Sequence, residues 1–465
     1  MQTKRVLKIT PILITLNLLV LFAIVGFYTY RLIKYYKIEN GESEDNIVLF
    51  ADEIKKKRSY LDETKGLVYD EKTGVYTYKG EVVDNYLNYS GMTFRILGID
   101  KDGNVKAVSE NNVTLIYSGF NKGYKDSYVN KWLNTSEAKY SGIYESNLVN
   151  SDELLTKSYF CSDTIDDVNN ITCDSEVTDY KITLLSLSDY KASGGKSGFL
   201  NNGDTFNLGT LNKEGLNYYV TGEGDVTIHQ KTTTAITLKP VITIKGSTEL
   251  IDGNGKEDTP YIVEEHEVET LQDVYVGKIV KLNDKNYKVI AKVGDRVKVI
   301  SVDPVMDSEG NPLLIEFGGN NNVYKDTNDV YKYLHNTFLN TLDLKDSVVE
   351  SKYFIGTLSL DNYDYTKVMD DYVNAKVGLS TIGEMYVNEN KNTLTILRGF
   401  EEINLINVIN EEGNLFADSI ESKYNIKPTF YLKGNLNIIK GDGSFEGPYE
   451  LGVKNESQKQ EGQEG

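Results

Sequence analysis

Two stretches of this chain are nearly the same sentence. Residues 235–263 read AITLKPVITIKGSTELIDGNGKEDTPYIV, and residues 424–451 read YNIKPTFYLKGNLNIIKGDGSFEGPYEL. Lys239-Pro240 matches Lys427-Pro428, Lys245-Gly246 matches Lys433-Gly434, and Pro260-Tyr261 matches Pro448-Tyr449. Both proline pairs, Pro240 with Pro428 and Pro260 with Pro448, are 188 positions apart, so the two stretches align without a gap. Self-similarity at a fixed offset is the mark of a unit used more than once. It constrains the chain to two related modules, and 465 residues leave room for both.

Upstream of each closing stretch the same order of elements recurs. TFRILGIDKDGNVKAVSEN reads as two alternating strands around Asp102-Gly103, and NYKVIAKVGDRVKVISVD repeats this around Gly294-Asp295. GLVYDEKTGVYTYKGE adds a hairpin at the start of the first module, turning at 72–74. A helical piece follows in each: SYVNKWLNTSEA (127–138) and NDVYKYLHNTFL (328–339), with Trp132-Leu133 over Tyr333-Leu334 at core-facing spacing. ITLLSLSDY (182–190) then matches VGLSTIGEMY (377–386), and each module continues as a meander with glycine-containing turns. The 34 tyrosines favour strands. The expected fold is α+β, each module a mainly antiparallel sheet with one short helix.

The N-terminus is expected to lie in a membrane. Residues 9–30, ITPILITLNLLVLFAIVGFYTY, carry no charged side chain. Twenty-two helical residues at about 1.5 Å each reach roughly 33 Å, enough for a bilayer core. Lys4, Arg5 and Lys8 flank one end and Arg31, Lys34 and Lys37 the other, so the flanking charge does not choose an orientation. No small-residue cleavage site follows the apolar run, which reads as an uncleaved signal anchor. The expected organisation is a cytoplasmic N-terminus (1–8), a transmembrane helix (9–30) and a stalk (31–65). A first module (66–264), a linker (265–272), a second, diverged module (273–453) and a disordered tail (454–465) follow. The protein is expected as a single-pass plasma-membrane protein with its C-terminal bulk extracellular. A cleaved signal or a cytoplasmic orientation are the alternatives.

Beyond residue 37 the chain holds 44 Lys/Arg against 69 Asp/Glu. Such a surface repels phosphate backbones and excludes nucleic acid as a partner. The two cysteines, Cys161 and Cys173, are too few for a structural zinc site. Outside the cell they close a small disulfide loop; the other reading is two unpaired thiols.

These segments resemble a repeated surface domain of Gram-positive bacteria, the domain of unknown function 6273. The residues that carry the likeness are TFRILGIDKDGNVKAVSEN, YVNKWLN, ITLLSLSDY, FNLGTL with NYYVTGEGDV, and LKPVITIKG with GNGKEDTPYIV. The family pattern runs W-R-V/I-L, K-W-L-N, L-L-S, W-W-L-R-S and V-R-P-V-I-x-L. Residues 85–264 follow it well and 273–453 follow it as a diverged copy. Phe94 stands where the family has tryptophan, Phe206-Asn207 and Thr395-Ile396 replace its aromatic pair, and Lys239 and Lys427 replace its arginine. The C-terminal half of the module is reminiscent of C-type-lectin-like and sulfatase-modifying-factor folds. The family has no established activity, so the resemblance implies a surface location and a fold, and no catalytic residue.

Short strings that suggest chemistry fail on their spacing. His266 in EEHEVET lacks the second histidine of a zinc-protease helix, since Thr270 stands there. The GGKS at 194–197 has Tyr190 where a phosphate loop needs glycine. Ser136 and Lys139 fit S-x-x-K, but the K-T-G at 72–74 precedes them and lies in a hairpin turn. Neither cysteine has a nearby base to make it a nucleophile. Asp252, Asn254, Glu257 and Asp258 are oxygen-rich, yet they lack the twelve-residue loop of a calcium site and read as a glycine-driven turn, with calcium the lesser reading. Asp163, Asp166, Asp167 and Asp174 form a second weak cation candidate.

The function expected is non-catalytic binding or scaffolding at the bacterial envelope, with an envelope polymer or surface protein as partner. The alternatives are a structural part of an envelope or secretion assembly, or a cell-wall-modifying enzyme. Two tandem modules add avidity on a polymer. Loops on a rigid scaffold carry recognition, which points to 119–126, 191–204, 317–327 and 388–392, with Tyr124, Tyr128 and Tyr324 as candidate ligand contacts.

Overall fold

The computed structural model describes residues 47–111, 113–116, 124–125, 127–134, 148–161, 164–171, 176–228, 235–357, 371–381, 392–399, 404–412 and 415–453. From Leu49 onward these belong to one unit. Alternating Val, Tyr and Thr side chains make strands throughout. In the first half they are β1 (Gly66–Asp70), β2 (Val75–Lys79), β3 (Tyr86–Tyr89), β4 (Met92–Ile99), β5 (Val105–Ser109), β6 (Ile182–Leu184), β7 (Pro240–Ile244) and β8 (Tyr261–Ile262). They form one eight-stranded sheet, β1-β2-β4-β5-β7-β6, with β3 on β4 and β8 on β3. In the second half they are β9 (Ile279–Leu282), β10 (Lys285–Val293), β11 (Arg296–Ser301), β12 (Val348–Val349), β13 (Val377–Gly378), β14 (Thr429–Lys433), β15 (Asn437–Lys440) and β16 (Tyr449–Gly452). Their sheet runs β12-β14-β11-β10-β9-β16-β15, with β13 also on β14.

The same geometry recurs at matched positions of the two sheets. β8 adds parallel to β3 through Tyr261 opposite Leu87, and β16 adds parallel to β9 through Tyr449 opposite Val280. The turn before each Pro-Tyr needs glycine for close approach. A Cβ at Gly253 would stand 2.0 Å from the Pro260 carbonyl oxygen, and one at Gly441 would stand 2.3 Å from that of Pro448. The register of β4 on β5 slips between Ile96 and Gly98, and that of β10 on β11 slips between Val289 and Ala291. These bulges bend the matched strands at the matched place. Lys239 and Lys427, next to the matched prolines, are both buried.

Second sheets complete the core. Val113–Ile116, Phe206–Leu211, Asn217–Val220, Val226–Ile228 and Ala235–Leu238 make five strands in the first half. Thr393–Arg398, Leu405–Ile409 and Leu415–Ser419 make three in the second. Helices are brief: α1 (Phe50–Lys55), α2 (Tyr128–Asn134), α3 (Leu187–Ala192) and α4 (Asp329–Asn336) are the elements used below.

This architecture corrects the α+β expectation. Among the described residues strands hold 38% and helices 13%, so the fold is mainly β. Helices occur where 127–138 and 328–339 predict them, but each lasts only about two turns. Helices so short draw their stability from packing against a neighbour and do not form a layer of their own. The expected transmembrane helix is not seen among the described residues either. No helix among the described residues is long and apolar enough to cross a membrane, and residues 9–30 lie outside them, as do 1–8 and 454–465. The expected stalk changes character at Leu49. Phe50, Ala51 and Ile54 of α1 are buried, and Phe50 packs edge-to-face on Tyr261 at 5.4 Å, so this segment belongs to the core of the first half.

Candidate functional site: a groove on the first half

β2 reaches β4 only at the bulged end, pairing Tyr76 with Ile99 and Thr77 with Gly98. A Cβ on residue 98 would stand 1.9 Å from the Tyr76 carbonyl oxygen, so glycine is what lets β2 close over the bulge. Beside this junction lies a cleft of about 190 Å³ lined by Val75, Tyr76, Thr77, Leu97, Ile99, Tyr159 and Ala192. The Tyr76 ring pairs with that of Tyr69 at 4.5 Å, on the face of β2 opposite Val75 and Thr77. The charged groups of the cleft are Asp100, Lys101, Lys106 and Asp189.

Each charge is held. Lys106 Nζ donates to both Asp189 oxygens at 2.8 and 2.9 Å and to the Tyr159 carbonyl at 3.0 Å. Asp189 belongs to the first turn of α3, where it completes a capping box with Ser186. The Ser186 hydroxyl donates to its Oδ2 at 2.7 Å. Asp100 accepts from the backbone N–H groups of Asp102 and Asn104, both at 2.9 Å, yet burial still raises its pKa above the usual carboxylate value. The Tyr159 hydroxyl donates to Asp102 Oδ2 at 2.5 Å, and that bond pushes it up to about 12. Lys101 Nζ lies 4.8 Å from the Tyr159 ring centre.

A second cleft of about 600 Å³ adjoins the first and shares Val75, Thr77 and Ala192 with it. Glu63, Asp70, Lys79 and Lys191 supply its charge, and Gly194 its far edge. Chemically the groove offers the Tyr159 ring, apolar side chains and both donors and acceptors. Hydroxyl- or amide-bearing ligands match such a lining.

Two of the expected ligand contacts prove to be core residues. Tyr124 is 6% exposed and its hydroxyl donates to the Ile182 carbonyl at 2.7 Å. Tyr324 is 0% exposed and donates to the Val377 carbonyl at 2.9 Å. The two rings make the same latch, each onto the strand beside the Lys-Pro strand, and burial leaves neither a face for a ligand. Tyr128 begins α2, and its side chain lies outside the described residues. Cys161 is buried and disulfide-bonded, while Cys173 lies outside the described residues. Of the four expected recognition loops, 191–204 lines both clefts through Lys191, Ala192, Ser193 and Gly194. Residues 317–327 are described and line neither cleft, and most of 119–126 and 388–392 lies outside the described residues.

The other candidates resolve into structure. The His266 Nε2 donates to the Asp273 carbonyl at 2.5 Å and its ring leans on Tyr275, in a segment without helix. In the GGKS string, Gly195–Ser197 is a single 3-10 turn, and Lys196 pairs with Asp225 at 2.9 Å. Asp252 accepts from the Gly253 N–H and Asn254 from Lys256 N–H and Thr259, so the oxygens of the calcium candidate close their own turn. Asp166 is taken by Lys213, and Asp163 and Asp174 lie outside the described residues. Among the described residues no group of three or more His, Cys, Asp or Glu side chains is placed to hold a metal ion. Ser136 and Lys139 lie outside them.

Sequence reasoning missed the groove because β2 and β4 meet through non-local pairing. One signal was available: Gly98 interrupts an otherwise apolar strand, and an isolated strand glycine marks a bulge or a close backbone approach. No protein-family model, no curated protein and no solved structure matches the chain.

Proposed function

We propose that the chain is a non-catalytic binding protein of the bacterial envelope, built from two copies of one surface module, and that the first copy carries the ligand in its groove. One observation carries this reading: a partly apolar cleft stands on the sheet with its Lys106–Asp189 ion pair already closed. General acid–base catalysis needs a carboxylate free to exchange a proton with substrate. Asp189 is instead committed to Lys106 and Ser186, an arrangement that supports recognition over turnover. The envelope location rests on the uncharged run 9–30 and on the likeness to the Gram-positive surface domain of unknown function 6273.

The test is binding of the full-length chain to purified cell-wall polymer, compared with Tyr159→Ala. Tyr159 is half-buried at the cleft wall, so its loss removes a ring face worth roughly 1–2 kcal/mol, about a tenfold loss of affinity. Saturable binding weakened by the substitution, with no polymer cleavage, is the expected result. Cleavage products would overturn the non-catalytic reading. Absence of binding would favour a purely structural part of an envelope assembly.

A further inference from the structure

We infer that the segment leaving α1 docks on a phospholipid surface, with Arg58 taking a headgroup phosphate and Tyr60 and Leu61 entering the interface. This rests on the envelope location proposed above and not on the groove, since none of the three residues lines either cleft. The chain leaves α1 through Lys55-Lys56-Lys57-Arg58. Three of these cations already have acids. Lys55 pairs with Asp52 at 2.9 Å, Lys56 with Glu53 at 2.6 Å and Lys57 with Asp84 at 2.9 Å. Lys57 also donates to the carbonyls of Asp84 at 3.0 Å and Asn254 at 2.5 Å.

Arg58 has no carboxylate partner among the described residues, and its Nε is enclosed without a hydrogen bond. Its guanidinium lies over two rings instead, 4.9 Å from the centre of Tyr60 and 4.7 Å from that of Tyr69. Tyr69 is in turn backed by Tyr76. Rings that hold a guanidinium by its face fix its plane and leave its edge for an oxyanion, the geometry a phosphate takes up. The neighbours suit a bilayer. Leu61 is 101% exposed and Tyr60 78% exposed, so both apolar bodies stand in water. A tyrosine ring with its hydroxyl in water belongs at headgroup depth.

Charge and chain position select lipid over a protein partner. Between residues 47 and 65 the cations are Lys55, Lys56, Lys57, Arg58 and Lys65, and the acids are Asp52, Glu53, Asp62 and Glu63. This stretch is therefore slightly positive on a chain whose net charge is −19, and it is repelled least by a phosphate surface. Residue 47 follows the end of the uncharged run 9–30 by 17 positions. Such a tether spans at most about 60 Å fully extended. A bilayer that holds the run is thus presented to Arg58 at high effective concentration, which a partner in solution is not.

The experiment labels the full-length Leu61→Cys chain with nitrobenzoxadiazole and follows iodide quenching with and without vesicles of phosphatidylcholine and phosphatidylglycerol. No free cysteine occurs among the described residues, so the introduced thiol takes the label. Phe445→Cys, at a position 59% exposed in the second half, is the control site. Arg58→Gln and, at an exposed position, Tyr60→Ser are made in the Leu61→Cys background. Co-sedimentation records whether the chain is on the vesicles, and circular dichroism checks that each variant folds.

The expected result is that vesicles cut quenching at position 61 by about threefold or more, as for a side chain sunk in the interface, and leave position 445 unchanged. Arg58→Gln and Tyr60→Ser each restore about half of the lost quenching or more. Equal quenching at 61 with and without vesicles, on a chain that co-sediments, overturns the docking inference and leaves the envelope location standing. Equal shielding at 61 and 445, or shielding that neither variant weakens, overturns it as well. A chain that stays in the supernatant overturns both.

Discussion

The two halves share a sheet and differ where the groove is. In the first half the bulge on β4 is roofed by β2, and residue 98 must be glycine because a Cβ would strike the Tyr76 carbonyl. In the second half the bulge on β10 carries Ala291, and among the described residues β10 pairs only with β9 and β11. Lys106, opposite Gly98, holds Asp189 in the cleft, whereas Lys298, opposite Ala291, is buried with its Nζ 4.9 Å from the Tyr353 ring and 5.2 Å from the Tyr431 ring. One strand position thus serves a cleft wall in one half and core packing in the other. The added hairpin, not the repeated sheet, makes the difference.

The sharpest way to break this comparison is to exchange the residue at the bulge. Gly98→Ala is expected to cost about 3 kcal/mol or more, since the new methyl meets backbone that cannot swing aside. Ala291→Gly is expected to cost only about 0.5–1 kcal/mol, the ordinary penalty of glycine in a strand. Equal costs in urea unfolding would show that β2 does not bear on the bulge.

A second difference is covalent. Cys161 is disulfide-bonded, and the matched module has no cysteine. Reduction is expected to lower the stability of the first half by about 2–4 kcal/mol, the range for a short disulfide loop. Hydrogen exchange should rise in the first half and stay constant in 279–301 and 429–452.

The joint between the halves offers a smaller perturbation. Glu264 Oε1 accepts from Ser90 N–H at 2.6 Å and from the Tyr275 hydroxyl at 3.1 Å, and the Tyr275 ring lies over Gly91. A Cβ at position 91 would stand 2.6 Å from Tyr275 Cδ2, on a residue whose φ is +69°. Gly91→Ala is expected to cost about 1–2 kcal/mol and to split a shared thermal transition into two. A single transition in calorimetry would mean that the halves do not communicate through this contact.

The smallest effect concerns pH. Asn134 at the end of α2 brackets the Ile182 peptide, donating to its carbonyl at 2.8 Å and accepting from its N–H at 3.0 Å. The matched position in α4 is His335, stacked on Tyr331 at 3.9 Å, with Nδ1–H donating to the Tyr331 carbonyl and Nε2 buried without a partner. Burial lowers its pKa below 6.5, opposed by Tyr331 and Glu350. The unfolded chain therefore takes up the proton first. Stability of the second half is full above about pH 6.5 and declines as pH falls through the depressed folded value. His335→Gln should flatten that decline in denaturant titrations between pH 7 and 5; an unchanged slope would exclude His335 as its source.

Much of this organisation was legible in the chain. The hairpins at 72–74, 102–103 and 294–295, and the glycine turns before Pro260-Tyr261 and Pro448-Tyr449, are local, so turn chemistry alone reveals them. The balance of helix and strand was not, because two short amphipathic segments read as strongly as long ones. Tyr124 and Tyr324 misled because loop position in sequence does not report burial, and both hydroxyls find their acceptors more than fifty residues away. The groove was hidden for the same reason: Val75, Lys106, Tyr159 and Ala192 meet only after the strands pair.

The most direct test of the account is hydrogen exchange by mass spectrometry on the full-length chain, with and without saturating purified cell-wall polymer. The account predicts protection at 75–79, 97–106 and 189–194 and no change at the matched 290–298 of the second half. Equal protection in both halves, protection confined to the second, or none at all would contradict the claim that the hairpin over Gly98 turned one copy of a shared sheet into a binding site.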